Sequence, residues 1–158
     1  MDAFICEWDT SKFLIFSENV FDPLIYYSHL TALILSLGFG LFVFWNNRKS
    51  LITQILFVIT LCLSVWLFSD LVLWATERNE FTMSFWSLTI LFEPFIYAFS
   101  LYFIYLFIDK QDVSLKNKFA IFSPLLITII FTSSSLALLG FDLTTCDRDA
   151  IEGPLVYY

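Results

Sequence analysis

The sequence is poor in the residues that bind metals, turn the chain and carry positive charge. Its 158 residues include one histidine, three cysteines, four glycines and four prolines, and eight Lys and Arg stand against fifteen Asp and Glu. A single histidine excludes a haem held by two histidines, and no two cysteines have the CxxC spacing of zinc or redox sites. The net charge of −7 argues against nucleic acid as a partner. We therefore expect no metal, no cofactor and no nucleic acid.

Apolar and aromatic side chains dominate what remains. Hydrophobic residues make up 59% of the chain and aromatic residues 20%, and the mean hydropathy of +0.79 lies far above that of soluble globular proteins. Four long apolar runs contain only two charged residues, Asp70 and Glu93. This composition predicts an all-α, polytopic membrane protein whose principal partner is the lipid bilayer.

Four membrane spans are predicted, and together they form a four-transmembrane-helix bundle. The third apolar run would extend about 36 Å as a helix, enough to cross a hydrocarbon core of roughly 30 Å. The predicted spans are residues 24–45, 51–75, 85–108 and 119–141. Residues 1–23 form an acidic head before this membrane domain (24–141), and residues 142–158 form a tail after it.

The basic residues indicate how the chain is oriented. Five of the eight lie in two short loops, as Arg48, Lys49, Lys110, Lys116 and Lys118. The positive-inside rule places such loops in the cytoplasm, so both termini are expected outside. The prediction is a multi-pass protein of the cell inner (plasma) membrane.

This orientation places two cysteines on the outer side. Cys6 lies in the head and Cys146 in the tail, where a disulfide can persist, whereas Cys62 lies within the second span. Because sequence spacing does not fix geometry, two free thiols are the alternative to a Cys6–Cys146 bridge.

Small residues recur every fourth position along the first span. They are Ser28, Ala32, Ser36 and Gly40. This spacing is typical of a helix face that lets another backbone approach closely, so we interpret it as a packing face. The alternative is that the serines line a pore.

Ionisable residues in three different spans fall at similar predicted depths. His29, Asp70 and Glu93 lie roughly 8 to 15 Å below the outer surface, counted at 1.5 Å per residue. Trp66 shares a helix face with Asp70, and Tyr97 shares one with Glu93. If they meet, such groups can bind a ligand or exchange a proton near neutral pH. The alternative is that each is satisfied locally by hydroxyls, tyrosines or interfacial water.

The layout also resembles a known family. The first span ends in a basic turn, residues 45–49 (WNNRK), the second carries Ser64, Val65, Trp66 and then Asp70, and the third is rich in aromatic residues. These features are similar to the N-terminal seven-helix membrane region of bacterial sensor histidine kinases. The resemblance implies a sensory module of a two-component system that passes a helix displacement to a cytoplasmic output. It also implies a homo-oligomer or a partner membrane or signalling protein.

The sequence departs from that family in its helix count. Four spans that start outside also end outside, so a cytoplasmic kinase could not follow directly, and residues 153–158 (GPLVYY) could begin a fifth span. We therefore expect a region truncated after four helices, without a phosphoacceptor helix or nucleotide-binding domain and so not an enzyme. The alternatives are a structural or assembly subunit of a membrane complex, a small proton-coupled transporter that uses Glu93, and, least favoured, a membrane enzyme.

Overall fold

Four helices and one short hairpin make up the computed structural model, which describes residues 10–20, 22–76, 78–132, 134–142 and 149–154. The helices are α1 (Pro23–Asn46), α2 (Leu51–Ala75), α3 (Asn79–Asp109) and α4 (Leu115–Phe131). The strands are β1 (Leu138–Asp142) and β2 (Asp149–Glu152), which pair antiparallel. The predicted all-α class is confirmed, and the hairpin is a small addition to it.

Local residue chemistry sets the bounds of α1. The carboxylate of Asp22 accepts the backbone N–H of Leu24 at 2.8 Å, and Pro23 occupies the first helical position, where its missing N–H is not needed. At the other end, the side-chain amide of Asn46 donates to the carbonyl of Phe42 at 2.7 Å. The helix then gives way to the basic turn that precedes α2.

Within the described residues, three helices are long and apolar enough to cross a membrane. Helices α1, α2 and α3 contain 24, 25 and 31 residues, or roughly 36 to 46 Å at 1.5 Å per residue. Much of their apolar surface is exposed, and Gly40 is the only buried residue of α1. Such extensive apolar faces fit lipid rather than water as the solvent. The chain is a helical membrane protein.

Each helix packs mainly against its neighbours in sequence. Broad contacts join α1 to α2, α2 to α3 and α3 to α4. A closed four-helix bundle would also need broad contact between α1 and α4, and the described residues form none. The helices instead form an open row, with a buried cluster of Ile55, Tyr102 and Leu106 between α2 and α3.

The fourth helix is shorter than the sequence predicts. It ends at Phe131, because the hydroxyl of Ser134 donates to the Phe131 carbonyl at 2.6 Å and accepts the N–H of Leu136 at 3.3 Å, which turns the chain away. With 17 residues α4 is about 26 Å long, less than the roughly 30 Å of a hydrocarbon core. A helix, a turn and β1 thus replace the single helical span predicted over 119–141.

The hairpin after α4 lies against the first half of α3. The ring of Phe141 on β1 meets the ring of Trp86 edge-on, with centroids 5.7 Å apart. The N–H of Gly153 donates to the carbonyl of Ala137 at 2.9 Å, which closes the base of the hairpin. A Cβ at Gly153 would lie 2.2 Å from the carbonyl oxygen of Leu136, so this close approach requires glycine.

The described part of the acidic head lies over the ends of α1 and α2. The side-chain amide of Asn19 donates to the carbonyl of Ala75 at 3.0 Å, which satisfies an acceptor at the last turn of α2. The hydroxyl of Tyr26 donates to the carbonyl of Ser17 at 3.1 Å, so the head is also held to α1. The head therefore holds this end of the α1–α2 pair together.

The four small residues of α1 do not all face α2. Ser28 is exposed and Ala32 is half-buried. The hydroxyls of Ser36 and Ser64 hydrogen-bond across the helices at 2.9 Å. At Gly40, an added Cβ would lie 2.0 Å from Thr60 Oγ1 and 2.9 Å from Thr60 Cβ. Gly40 is thus the point of closest backbone approach between α1 and α2.

A polar cluster fixes the turn between α3 and α4. The hydroxyl of Tyr102 donates to Asp112 Oδ1 at 2.7 Å, and Lys118 Nζ donates to Asp112 Oδ2 at 2.5 Å. The hydrogen bond from Lys118, followed by that from Tyr102, holds the pKa of the Asp112 carboxyl below its ordinary value. Ion pairing at this turn therefore favours folding as long as Asp112 is ionised.

Replacing Gly40 by Ala should destabilise the α1–α2 pair, because the new methyl collides with Thr60. We expect a loss of about 1 to 3 kcal/mol in the free energy of unfolding, measured by denaturant titration in mixed micelles. Gly38→Ala is the matched control, since nothing lies within 4 Å of a Cβ at that position. Adding Thr60→Gly to Gly40→Ala should restore stability. Equal effects at the two glycines would contradict the close approach.

The stabilising effect of Asp112 should disappear in acid. The pKa of this carboxyl is lower in the folded state than its value of about 3.9 in the unfolded chain. Its ionised form therefore stabilises the folded state at pH values above about 3.9. This stabilisation is lost as the pH falls through the lowered pKa of the folded state. The difference in unfolding free energy between the native chain and Asp112→Asn should therefore be fully present at about pH 6 and shrink below about pH 4. A difference that stays constant over this range would show that the ion pair contributes nothing.

Candidate functional site

The antiparallel packing of α1 and α2 brings His29 and Asp70 to the same level. His29 lies six residues, or about 9 Å, from the start of α1, and Asp70 lies five residues, or about 7.5 Å, from the end of α2. Since α2 runs back along α1, equal distances from these two ends mean equal depth. Two polar residues that are 41 positions apart in sequence therefore meet.

A hydrogen-bonded pair forms at this point. His29 Nε2 lies 2.7 Å from Asp70 Oδ2, and the side chains are 18% and 27% exposed, respectively. The other ring nitrogen of His29, Nδ1, lies 2.8 Å from the carbonyl oxygen of Ile25 and 2.9 Å from the hydroxyl of Ser28. Both imidazole nitrogens are thus engaged, while part of the pair stays accessible from outside the helix packing.

The partners of His29 limit where its hydrogens can lie. Nδ1 can donate to the carbonyl of Ile25 or accept from the hydroxyl of Ser28, and the tautomer decides between them. Nε2–H can donate to the Asp70 carboxylate. When both nitrogens carry hydrogen, the imidazolium and the carboxylate together have no net charge. A neutral unit of this kind is the form that a low-dielectric environment favours.

Loss of one proton from the form with both nitrogens protonated has two possible outcomes. With the remaining hydrogen on Nδ1, the lone pair of Nε2 would face the Asp70 carboxylate, and the contact between α1 and α2 would open. With it on Nε2, the bond to Asp70 is kept, and Ser28 can donate to Nδ1 by giving up its own bond of 2.9 Å to Ile25. Proton loss is therefore coupled to helix packing when the remaining hydrogen lies on Nδ1.

Hydroxyl groups continue the polar contact below the pair. The hydroxyl of Ser64 donates to the carbonyl of Thr60 at 2.7 Å. The same hydroxyl also hydrogen-bonds the hydroxyl of Ser36 on α1. The Ser36 hydroxyl also lies 3.1 Å from the carbonyl of Leu33. We name the line formed by His29–Asp70, Ser36–Ser64 and Gly40–Thr60 the polar seam.

Glu93 lies away from the pair. It is exposed, and its Oε1 accepts the hydroxyl of Tyr97 at 3.1 Å on the same helix. Because α3 begins at Asn79 rather than at Phe85, Glu93 lies about 21 Å from the start of its helix, farther than His29 and Asp70 lie from the ends of theirs. The hypothesis of a three-residue cluster thus reduces, in the described structure, to the contact between His29 and Asp70.

The two aromatic residues predicted for the site lie apart from each other. Trp66 is half-buried on α2, one helical turn from Asp70, whereas Tyr97 is 66% exposed on α3.

The sequence did not predict the role of Ser28, which hydrogen-bonds His29 rather than serving only as a packing residue. Its position directly beside the only histidine was the available signal. The polar cluster of Tyr102, Asp112 and Lys118 was also missed, since it brings together a span and a loop.

The remaining predicted groups concern cysteines and metals. Cys6 and Cys146, the proposed disulfide, lie outside the described residues. Cys62 is a buried free thiol in α2. In the parts of the chain that the structure describes, no three His, Cys, Asp or Glu side chains converge as metal ligands would.

The fold and the polar seam define a helical membrane protein with an ionisable pair between two of its helices. Comparison with models of protein families, with curated proteins and with solved structures finds no match for this chain. Any more specific function therefore has to be argued from its own residues.

Removing either member of the pair should loosen α1 from α2. We expect His29→Ala and Asp70→Ala each to lower the free energy of unfolding by about 1 to 3 kcal/mol, because the partner loses its hydrogen bond. The double variant should lose less than the sum of the two, as measured in a double-mutant cycle in mixed micelles. Asp112→Asn, at the turn between α3 and α4, serves as the additive control when it is paired with either variant. Additive losses for His29 and Asp70 would mean that they do not interact.

Proposed function

We propose that this chain is the membrane-embedded input module of a signal-transduction protein, and that the His29–Asp70 pair is its responsive site. The observation that carries the proposal is the 2.7 Å contact between His29 Nε2 and Asp70 Oδ2, which joins two ionisable groups across α1 and α2. Both side chains remain partly exposed near the ends of their helices. A stimulus can therefore reach the pair without unfolding the helices.

The proton is the stimulus that this geometry suits best. Histidine is the side chain that ordinarily changes charge between pH 5 and 8. Binding or losing one proton changes the charge of the pair by one unit and alters the hydrogen bond that joins the helices. We infer that the module responds to the proton concentration on the outer side, and that it acts without catalysing a reaction.

The polar seam offers a path from the pair towards the opposite membrane face. Ser36 and Ser64 can exchange their mutual bond for bonds to their own helices, so a small shift of α1 costs little there. Gly40 against Thr60 then acts as a tight contact about which α1 can move. The shift would reach the turn that contains Arg48 and Lys49, which the positive-inside rule places in the cytoplasm.

We further propose that the chain crosses the membrane four times, with both termini outside. Phe122 on α4 packs against Phe99 and Tyr102 near the end of α3, with ring centroids 5.1 and 5.6 Å away, while Phe141 contacts Trp86 near its start. Residues 122–141 thus extend back along roughly 20 Å of α3. This supports a fourth crossing made of α4, the following turn and the hairpin, whose irregular part is covered by α3.

The resemblance to the seven-helix membrane region of bacterial sensor histidine kinases agrees with this proposal. It rests on the basic turn at residues 45–49 and on the position of Trp66 and Asp70 in the second span. In that case the partner is a cytoplasmic signalling output, the chain works as a homo-oligomer or beside that output, and the location is the bacterial inner membrane.

An assembly subunit of a membrane complex is the second candidate function. The exposed carboxylate of Glu93 favours it.

Proton binding and helix movement can be measured on the same sample. Because His29 is the only histidine, ¹⁵N-histidine labelling in lipid bilayers gives one imidazole signal for each nitrogen. The chemical shifts of these signals show which nitrogens carry hydrogen at each pH. Spin labels at positions 47 and 111, in a chain whose three cysteines are replaced by alanine, should change their separation at the pH at which these shifts change.

The controls separate a responsive pair from a purely structural one. Asp70→Asn, which has the same shape but cannot share a proton in the same way, should abolish the pH-dependent change in label separation. Glu80→Gln, at an exposed acid near the start of α3, should leave it unchanged. A histidine signal that titrates while the labels stay fixed would contradict the sensory role.

A further inference from the structure

The carboxylate of Glu93 lies near the middle of the longest helix. It is 14 residues from the start of α3 and 16 from its end, or about 21 and 24 Å. It is nevertheless exposed, and its one hydrogen bond in the described structure comes from the hydroxyl of Tyr97. A carboxylate that faces hydrocarbon at this depth is unfavourable by several kcal/mol unless another group covers it.

A second acceptor lies on the same side of α3. Pro94 has no N–H, so the carbonyl of Ile90 lacks its usual donor four residues later. Ile90 and Glu93 are three residues apart and therefore share a helix face. Two oxygen acceptors, one of them charged, are thus presented side by side. A basic side chain with several N–H donors matches such a pair.

Among the described residues, no lysine or arginine lies at this depth, because helices α1, α2 and α3 contain neither. Their single histidine is hydrogen-bonded to Asp70. Glu93 is therefore open to a basic group from another molecule.

The same face continues as an apolar stripe. Its exposed members follow at intervals of four, four, three and four residues, namely Glu93, Tyr97, Leu101, Ile104 and Ile108. The buried residues in the second half of α3, Ala98, Tyr102 and Leu106, lie on the opposite side. This spacing is the one by which a second helix packs at a shallow crossing angle.

We propose that this face of α3 binds a partner transmembrane helix that carries one lysine or arginine near the middle of its span. The basic group would bind Glu93, beside the Ile90 carbonyl that has no donor at Pro94, and the apolar stripe would pack against the remainder of the partner. The proposal does not depend on proton sensing by His29 and Asp70. A second copy of this chain fits less well, because a two-fold contact here would place Glu93 against Glu93 with no cation between them.

Association can be tested with designed peptides in lipid vesicles. The probes are two leucine-rich transmembrane peptides that are identical except for one central residue, which is lysine in one and leucine in the other. Energy transfer from the labelled full chain to each labelled peptide gives the binding strength. We expect the lysine peptide to bind at least about tenfold more tightly than the leucine peptide.

Variants assign the effect to the proposed face. Glu93→Gln should reduce binding of the lysine peptide to the level of the leucine peptide, and Tyr97→Phe should reduce it in part. Glu80→Gln, an exposed acid near the start of the same helix, should leave binding unchanged.

Three outcomes would overturn the proposal. Equal binding of both peptides would show that charge is not recognised. Energy transfer can also be measured between two labelled copies of the chain. If it requires Glu93 and exceeds the transfer to the lysine peptide, a second copy is the occupant of this face. Absence of any association would leave lipid as the group that covers this face.

Discussion

A polar side chain within hydrocarbon must find a polar partner inside protein, and this constraint accounts for the specific contacts between the helices. Asp70 is satisfied by His29 on the neighbouring helix, and Ser64 is satisfied by Ser36. Both contacts join α1 to α2 and fix how the two helices face each other. Glu93 is the exception, since it is bonded only within its own helix, to Tyr97. Its environment is therefore incomplete in the isolated chain.

These two arrangements carry the two proposals. The His29–Asp70 contact joins two ionisable groups across α1 and α2, so a change of charge there acts on helix packing. Glu93 is exposed and, among the described residues, is bonded to Tyr97 alone, so its face is open to a partner. The proposed input module needs both properties, because a local change of packing has an effect only when it is passed to another protein.

Long apolar runs with clear ends could be located from the sequence alone. The predicted spans 24–45 and 51–75 agree with α1 and α2 within one residue at each end. The start of α3 was missed by six residues, because four of the residues 79–84 (NEFTMS) are polar yet helical, and this shortened the predicted distance from the start of the helix to Glu93. The end of α4 was missed because hydroxyl bonds at Ser134 compete with the helix. Counting residues from the ends of the spans predicted that His29 and Asp70 could meet. The recurrence of small residues every fourth position in α1 could not show that Ser28 is exposed.

The direct contact between His29 and Asp70 is the feature on which the proposed function depends. Solid-state NMR in lipid bilayers can test this contact by measuring the dipolar coupling between ¹⁵Nε2 of the only histidine and ¹³C-labelled aspartate carboxyl carbons. The structure predicts strong dephasing of the Nε2 signal, corresponding to a hydrogen-bonded carboxyl, and its disappearance in Asp70→Asn. Weak dephasing in the native chain, or dephasing that persists in Asp70→Asn, would contradict the contact on which the proposed function depends.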